Sequence, residues 1–283
     1  MRIAKAVITA AAPGQQTLPL QSVVDRHGQD RTALQLILQE AVDAGAEEIC
    51  MVISPNYADA YRQAAGEHAG RLCFTEQDTP RGYGHALHSA KAFVGNEPFL
   101  HLVGDHLYLS RTNESCAAQL VKMAQSESCS VSAVQATHER RLPYFGAISA
   151  KRISQRNDVY EINKVIEKPT PTLAEQELIV AGLRSSHYLC LFGLHVLSPL
   201  VFEILDNQIQ SNDGKSPVLL SPALSALAQQ ERYFALEVQG SRYNIGVKYG
   251  LLMAQLALSL SGDDRDQILT ELVELVASRN DRA

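Results

Sequence analysis

The stretch PFLHLVGDHLYL, residues 98–109, decides how this chain is read. Phe99, Leu100, Leu102 and Val103 form a short apolar run bounded by Pro98 and Gly104, the pattern of a strand buried on both faces. Asp105 follows directly. In open α/β sheets the ligand crevice lies at the carboxyl ends of the strands, so a carboxylate there is placed to hold a divalent cation and the phosphates it bridges. The same residue could equally cap the next turn.

Working outward, strand and helix signals alternate on both sides of this run. Residues 3–9 read as a strand running into Ala10, Ala11, Ala12, Pro13 and Gly14, whose small side chains let a ligand approach the backbone amides. Thr32 can cap a helix over 32–44, with Leu34, Ile37, Leu38 and Ala41 at helical spacing, and Gly45 can end it. A second buried strand at 48–54, a helix at 57–69, a strand at 71–75 and a helix from Tyr83 lead to the Asp105 strand. Beyond a helix at 114–126 and a strand at 130–137, the pattern becomes hairpin-like at 145–150 and 159–166. A long strand at 188–197, helices at 199–207 and 219–230, a strand at 233–238 and helices at 247–260 and 266–278 follow. The expected fold class is α/β: a Rossmann-like, doubly wound mixed sheet with a smaller β-hairpin part and C-terminal helices.

With 283 residues, 46% hydrophobic and 20% charged, the chain can bury a large core. A formal net charge of -6 argues against nucleic acid or an anionic membrane as the main partner. A phosphorylated ligand would then need a local site of amides, a few cations or a metal. Cys50, Cys73, Cys116, Cys129 and Cys190 are scattered without metal-ligand spacing, as expected of reduced cysteines in a cytoplasmic protein. No leader pattern and no bilayer-length apolar run is read, so no membrane association is expected. His101 and His106, flanking Asp105, read as packed or solvated histidines rather than a metal cluster. Ile268, Leu269, Leu272, Val273, Leu275 and Val276 read as a packing face or a homo-oligomer contact.

Five motifs in order, TEQDTPRGYGHAL, LVGDHLYL, YFGAIS, NKVIEKP and NIGVKYG, resemble those of the sugar nucleotidyltransferases, the bacterial glucose-1-phosphate uridylyltransferase branch above all. That resemblance covers most of the chain and implies a nucleotide-diphospho-sugar transferase fold in a single domain, 1–283. Its nucleotide-binding half would span 1–137, its sugar-phosphate half 138–245 and its C-terminal helices 246–283. It further implies that Ala11, Ala12 and Gly14 border the nucleotide and that Gln77 reads the uracil edge with one donor and one acceptor. Gly82 and Gly84 would form the turn passing close to the nucleotide. Asp105 would bind Mg2+, Gly146 would donate its amide to the sugar, and Glu167 would accept from sugar hydroxyls. Lys168 would neutralise the sugar phosphate, although a Glu-Lys pair before Pro169 also fits a solvated strand edge.

Two departures from the family pattern stand out. The family's G-x-G-T-R loop and following lysine are replaced here by AAPGQQTLPLQSVVDRHG, with Gln15 or Gln16 where the arginine belongs, and the second metal-binding Asp is Asn244. Arg26 and Arg31 lie nearby in sequence and are expected to stand in, because a guanidinium can bind phosphate through two parallel hydrogen bonds. The function expected from the resemblance is transfer of a uridylyl group from UTP to a sugar 1-phosphate, with Mg2+ as cofactor and Asp105, Lys168, Arg26 and Arg31 as catalytic residues. The second expectation is a catalytically impaired homologue that binds a UDP-sugar as a sensor or regulatory subunit.

Overall fold

The computed structural model describes residues 1–154, 156–214 and 216–280, with side chains as far as 278. The first half contains β1 (Lys5–Ala10), β2 (Ser22–Val24), β3 (Asp30–Thr32), α1 (Ala33–Asp43), β4 (Glu48–Ile53), α2 (Ala58–Ala64), β5 (Leu72–Glu76), α3 (Tyr83–His88), α4 (Lys91–Val94), β6 (Phe99–Val103), β7 (His106–Ser110) and α5 (Cys116–Glu127). The second half contains β8 (Ser130–His138), β9 (Ala147–Arg152), β10 (Val159–Ile166), α6 (Pro171–Glu177), β11 (His187–Leu197), α7 (Leu200–Ser211), α8 (Leu220–Gln230), β12 (Tyr233–Glu237), β13 (Gly240–Asn244), α9 (Gly250–Leu260) and α10 (Arg265–Asn280).

Local chemistry accounts for several boundaries. Thr32 starts α1 with a reciprocal capping box: its hydroxyl accepts from the Gln35 amide at 3.1 Å, while the Gln35 side chain accepts from the Thr32 amide at 2.9 Å. The single helix expected over 57–69 instead divides into α2 and a tight turn, Gly66–Arg71, since Gly66 adopts φ +55°.

Nine strands form the main sheet in the order β5-β4-β1-β6-β11-β8-β12-β10-β9. β4, β1 and β6 run parallel, whereas β11 is antiparallel to both β6 and β8, so the sheet is mixed. Ile8, Met51, Leu100 and Leu102 pack into the layer that holds Leu34 and Ile37 of α1 and Leu120 of α5. Val7, Cys50, Val52 and Phe99 pack oppositely, against Leu87 of α3, Phe202 of α7 and Leu224 of α8. Helices on both faces explain why these strands are apolar throughout rather than alternating.

From β1 the chain winds out to β4 and β5, then returns to place β6 on the other side of β1. The switch point of the sheet therefore falls between β1 and β6, where Thr9 pairs with Val103. Gly104 and Asp105 form the turn between β6 and β7, and β7 leaves the main sheet to pair with β13, Asn244 opposite His106. β13 has no apolar run of its own, and β7 offers only Leu107, Tyr108 and Leu109. Cys50, Cys116, Cys129 and Cys190 are buried, and Cys73 on the edge strand β5 is exposed. Leu269, Val273, Leu275 and Val276 of α10 are exposed, so most of the C-terminal apolar face does not pack within the chain. Among the described residues no helix is long and apolar enough to cross a membrane.

Candidate active site

A cavity of about 520 Å³ opens at the switch point, and Ala11, Ala12, Gln77, Gly82, Asp105, Gly146, Glu167, Lys168 and Asn244 all line it. On one side Gln77, 4% exposed, donates from Nε2 to Nδ1 of His85 at 2.7 Å. Burial and the charge of Arg81 lower the basicity of His85, so its ring is the neutral acceptor. Gln77 keeps its carbonyl oxygen and one N–H, the acceptor and donor that a nucleobase edge requires.

The two glycines of the GYG turn answer to the protein itself. Gly82 has φ +108°, and a Cβ there would stand 2.5 Å from the Val218 carbonyl oxygen. At Gly84 a Cβ would lie 2.8 Å from the Leu219 carbonyl oxygen. Gly84 is buried under this segment and does not line the cavity. Gly14, at φ +74°, also stands outside it, though Pro13 and Gln15 on either side line it.

At the centre, the Asp105 carboxylate accepts from Nδ1 of His106 at 2.7 Å. Burial pushes this carboxyl up, but the hydrogen bond and charge of His106 outweigh it and hold the group below the ordinary carboxylate range. The Ile245 amide donates to the Asp105 carbonyl at 2.8 Å, which draws Asn244 alongside. The Asn244 side-chain oxygen accepts from the Gly246 amide at 2.8 Å. Among the described residues no three His, Cys, Asp or Glu side chains converge on one point. One carboxylate with one neutral amide oxygen suits an ion such as Mg2+, which usually takes one or two protein carboxylates and completes its shell with water and substrate phosphates.

On the far side, Glu167 accepts from the Ser221 hydroxyl at 2.5 Å, and Lys168, at φ +44°, donates its amide to the Phe145 carbonyl at 3.2 Å. A Cβ on Gly146 would stand 3.0 Å from Ser221 Oγ and 3.3 Å from the Glu167 carboxylate, so glycine leaves room for that pair. Lys168 is the one lysine or arginine among the described residues lining the cavity.

Arg26 and Arg31 are not brought to this site. Both line a second cavity of about 360 Å³, together with Gln35 of α1 and Leu258 of α9. Arg31 pairs with Glu67 at 3.1 Å and Asp25 at 3.7 Å, and the Arg26 carbonyl accepts from the Asp263 amide at 2.9 Å. The hairpin of β2 and β3 carries these residues away from the carboxyl end of β1, so proximity in sequence does not become proximity to Asp105.

A buried polar chain that sequence reading missed runs behind the cavity. His101 donates from Nδ1 to the Val7 carbonyl at 3.1 Å and accepts at Nε2 from the Tyr83 hydroxyl at 2.7 Å. Its ring stacks on His195 with centroids 5.8 Å apart, and His195 bonds to Ser132 at 2.5 Å, which contacts the Tyr233 hydroxyl. Burial lowers the pKa of His101 to about 4 and that of His195 well below its ordinary value, so both rings are neutral. Tyr83 and His195 reach the cavity wall. The only sequence signal was a histidine inside an apolar strand, which fits ordinary packing just as well.

A family model described as nucleotidyl transferase matches residues 19–256, most of the chain. The chain belongs to the nucleotidyl transferase family. Among curated relatives, a UTP–glucose-1-phosphate uridylyltransferase 1 of Streptococcus pyogenes is 29% identical over 287 residues, covering 92% of this chain and 90% of the relative. The enzyme of the same name from Staphylococcus saprophyticus is 25% identical, covering 98% of this chain and 99% of the relative. A UDP-glucose pyrophosphorylase solved with UDP-glucose superposes with a TM-score of 0.73 at 24% identity, over 90% of this chain and 98% of that one. A UTP-bound enzyme of this type from Acinetobacter baumannii gives 0.73 at 22% identity, over 96% and 99%. These two structures share the fold of this chain.

Proposed function

We propose that the cavity binds UTP and a sugar 1-phosphate, glucose 1-phosphate in the first instance, and joins them into a UDP-sugar with release of pyrophosphate. The observation that carries this reading is that one cavity at the switch point gathers Gln77, Asp105, Glu167 and Lys168. In the proposed order the uracil edge meets Gln77, the triphosphate crosses the end of β1 beside Ala11 and Ala12, and the sugar lies between Gly146 and Glu167. Lys168 faces the sugar phosphate, already a competent nucleophile at neutral pH. One of its oxygens attacks the α-phosphorus in line, the O–P bond forms as the bridge to the β-phosphate breaks, and pyrophosphate leaves. Magnesium, held through Asp105 and the ligand's own phosphates, with Asn244 as a neutral partner, would neutralise charge on the phosphate oxygens.

A second reading, a UDP-sugar binder acting as a sensor or regulatory subunit, is favoured by one observation. With Arg26 and Arg31 in another cavity, Lys168 is the one lysine or arginine among the described residues lining this one. Incubation of the protein with UTP, glucose 1-phosphate and magnesium tests the pair. Release of pyrophosphate is expected. Binding of UDP-glucose without release, across several nucleoside triphosphates and sugar phosphates, would overturn transfer and leave the binder.

A further inference from the structure

Arg242, on β13, is only 7% exposed, and the titratable groups that act on it among the described residues are the Cys190 thiol, the Tyr108 phenol and Arg141, none of them a carboxylate. Its Nη1 donates to the Gln135 side chain at 3.3 Å, and its Nε has no hydrogen-bond partner among the described residues. A buried cation without a counter-ion is costly unless something else holds it. What holds it here is aromatic: the guanidinium carbon lies 3.9 Å from the centre of the Phe145 ring and 5.4 Å from that of Phe192. Phe145 in turn lines the cavity, precedes Gly146 and accepts the Lys168 amide through its carbonyl. Two residues along β13, and so on the same face of that strand, is Asn244 beside Asp105.

We infer that Arg242 is a positioning residue for the sugar-phosphate side of the cavity: through the face of Phe145 it holds the 145–146 turn and Lys168 against the strand that carries Asn244, and it adds a buried positive charge behind a wall otherwise short of cations. In poorly solvated surroundings the field of that charge reaches further than a surface charge would. This inference rests on the sugar-phosphate reading of the cavity and adds to it the means by which a doubly charged ligand is favoured with one lining lysine.

The test is calorimetric binding of glucose 1-phosphate and of uridine, a neutral probe for the base side, to the wild type, Arg242→Lys and Arg242→Gln. The glutamine variant is expected to raise the Kd for glucose 1-phosphate about tenfold, and the lysine variant to stay within about threefold, while uridine binding is unchanged in both. Equal losses with lysine and glutamine, or equal losses for both ligands, reduce Arg242 to packing and overturn the inference. Should the glutamine variant not fold, the lysine variant decides alone, since a packing role requires it to lose as much as about tenfold. A wild type that binds neither glucose 1-phosphate nor UDP-glucose fails the cavity reading and this inference together. A wild type that binds while both variants bind equally well overturns only the role of Arg242.

Discussion

The Ser221 hydroxyl donates to the Glu167 carboxylate at 2.5 Å, fastening the residue that follows β10 to the first turn of α8. If Glu167 accepts from sugar hydroxyls, as proposed, it gains from being fixed in place, because a positioned acceptor loses little further freedom when the ligand arrives. Ser221→Ala is therefore expected to weaken glucose 1-phosphate binding by about 1 kcal/mol, the ordinary worth of a hydrogen bond. Calorimetry with glucose 1-phosphate and uridine checks it, with uridine expected unaffected.

Asp105→Asn keeps the shape of the turn between β6 and β7 but removes its charge. If the cavity transfers nucleotidyl groups, pyrophosphate release is expected to fall by roughly 10²- to 10³-fold, as when one group stabilising transition-state charge is lost. Chelation of divalent ions with EDTA is expected to stop the wild type in the same way, and added magnesium to restore the wild type but not the variant. An undiminished rate in the variant would remove Asp105 from the reaction.

Arg26→Ala and Arg31→Ala are expected to leave turnover within about twofold of wild type, since both residues line the second cavity and neither lines the one that holds Asp105. Arg31→Ala breaks an ion pair with the exposed Glu67 and a longer one, at 3.7 Å, with the half-buried Asp25, a change of about 1 kcal/mol in urea unfolding. A large fall in pyrophosphate release for either variant would show that the triphosphate reaches further along the β2–β3 hairpin than the cavity extends.

His101 makes stability depend on pH in a definite direction. Its folded pKa, about 4, lies below the ordinary histidine value of 6.5, so the unfolded chain takes up a proton first as the pH falls. The stability it contributes is present above pH 6.5 and is lost progressively towards pH 4, at about 1.4 kcal/mol per pH unit. Glu40, buried with its pKa raised to about 7, acts in the opposite sense, gaining relative stability as the pH falls towards its ordinary value of 4.5. The comparison that isolates His101 is wild type against His101→Phe. The difference in their unfolding free energies is expected to shrink across that window, and a constant difference would mean that His101 titrates normally.

The sequence by itself determined the layering. Continuous apolar runs at β1, β4 and β6, separated by helices with legible starts such as the Thr32 cap, require a parallel sheet covered on both sides, and that alone puts Asp105 at a strand's carboxyl end. These signals are local: each depends on side chains within a turn or two of one another. Tertiary structure decided the rest. β7 and β13 are strands only because 106–110 and 240–244 meet, and no periodicity in either segment announces the other. The same distant pairing draws Asn244 to Asp105 and carries Arg242 to Phe145, while the β2–β3 hairpin removes Arg26 and Arg31 from the site that their sequence position suggested. A charge acts over ångströms of space rather than residues of chain, so where it acts becomes known only when the chain has folded.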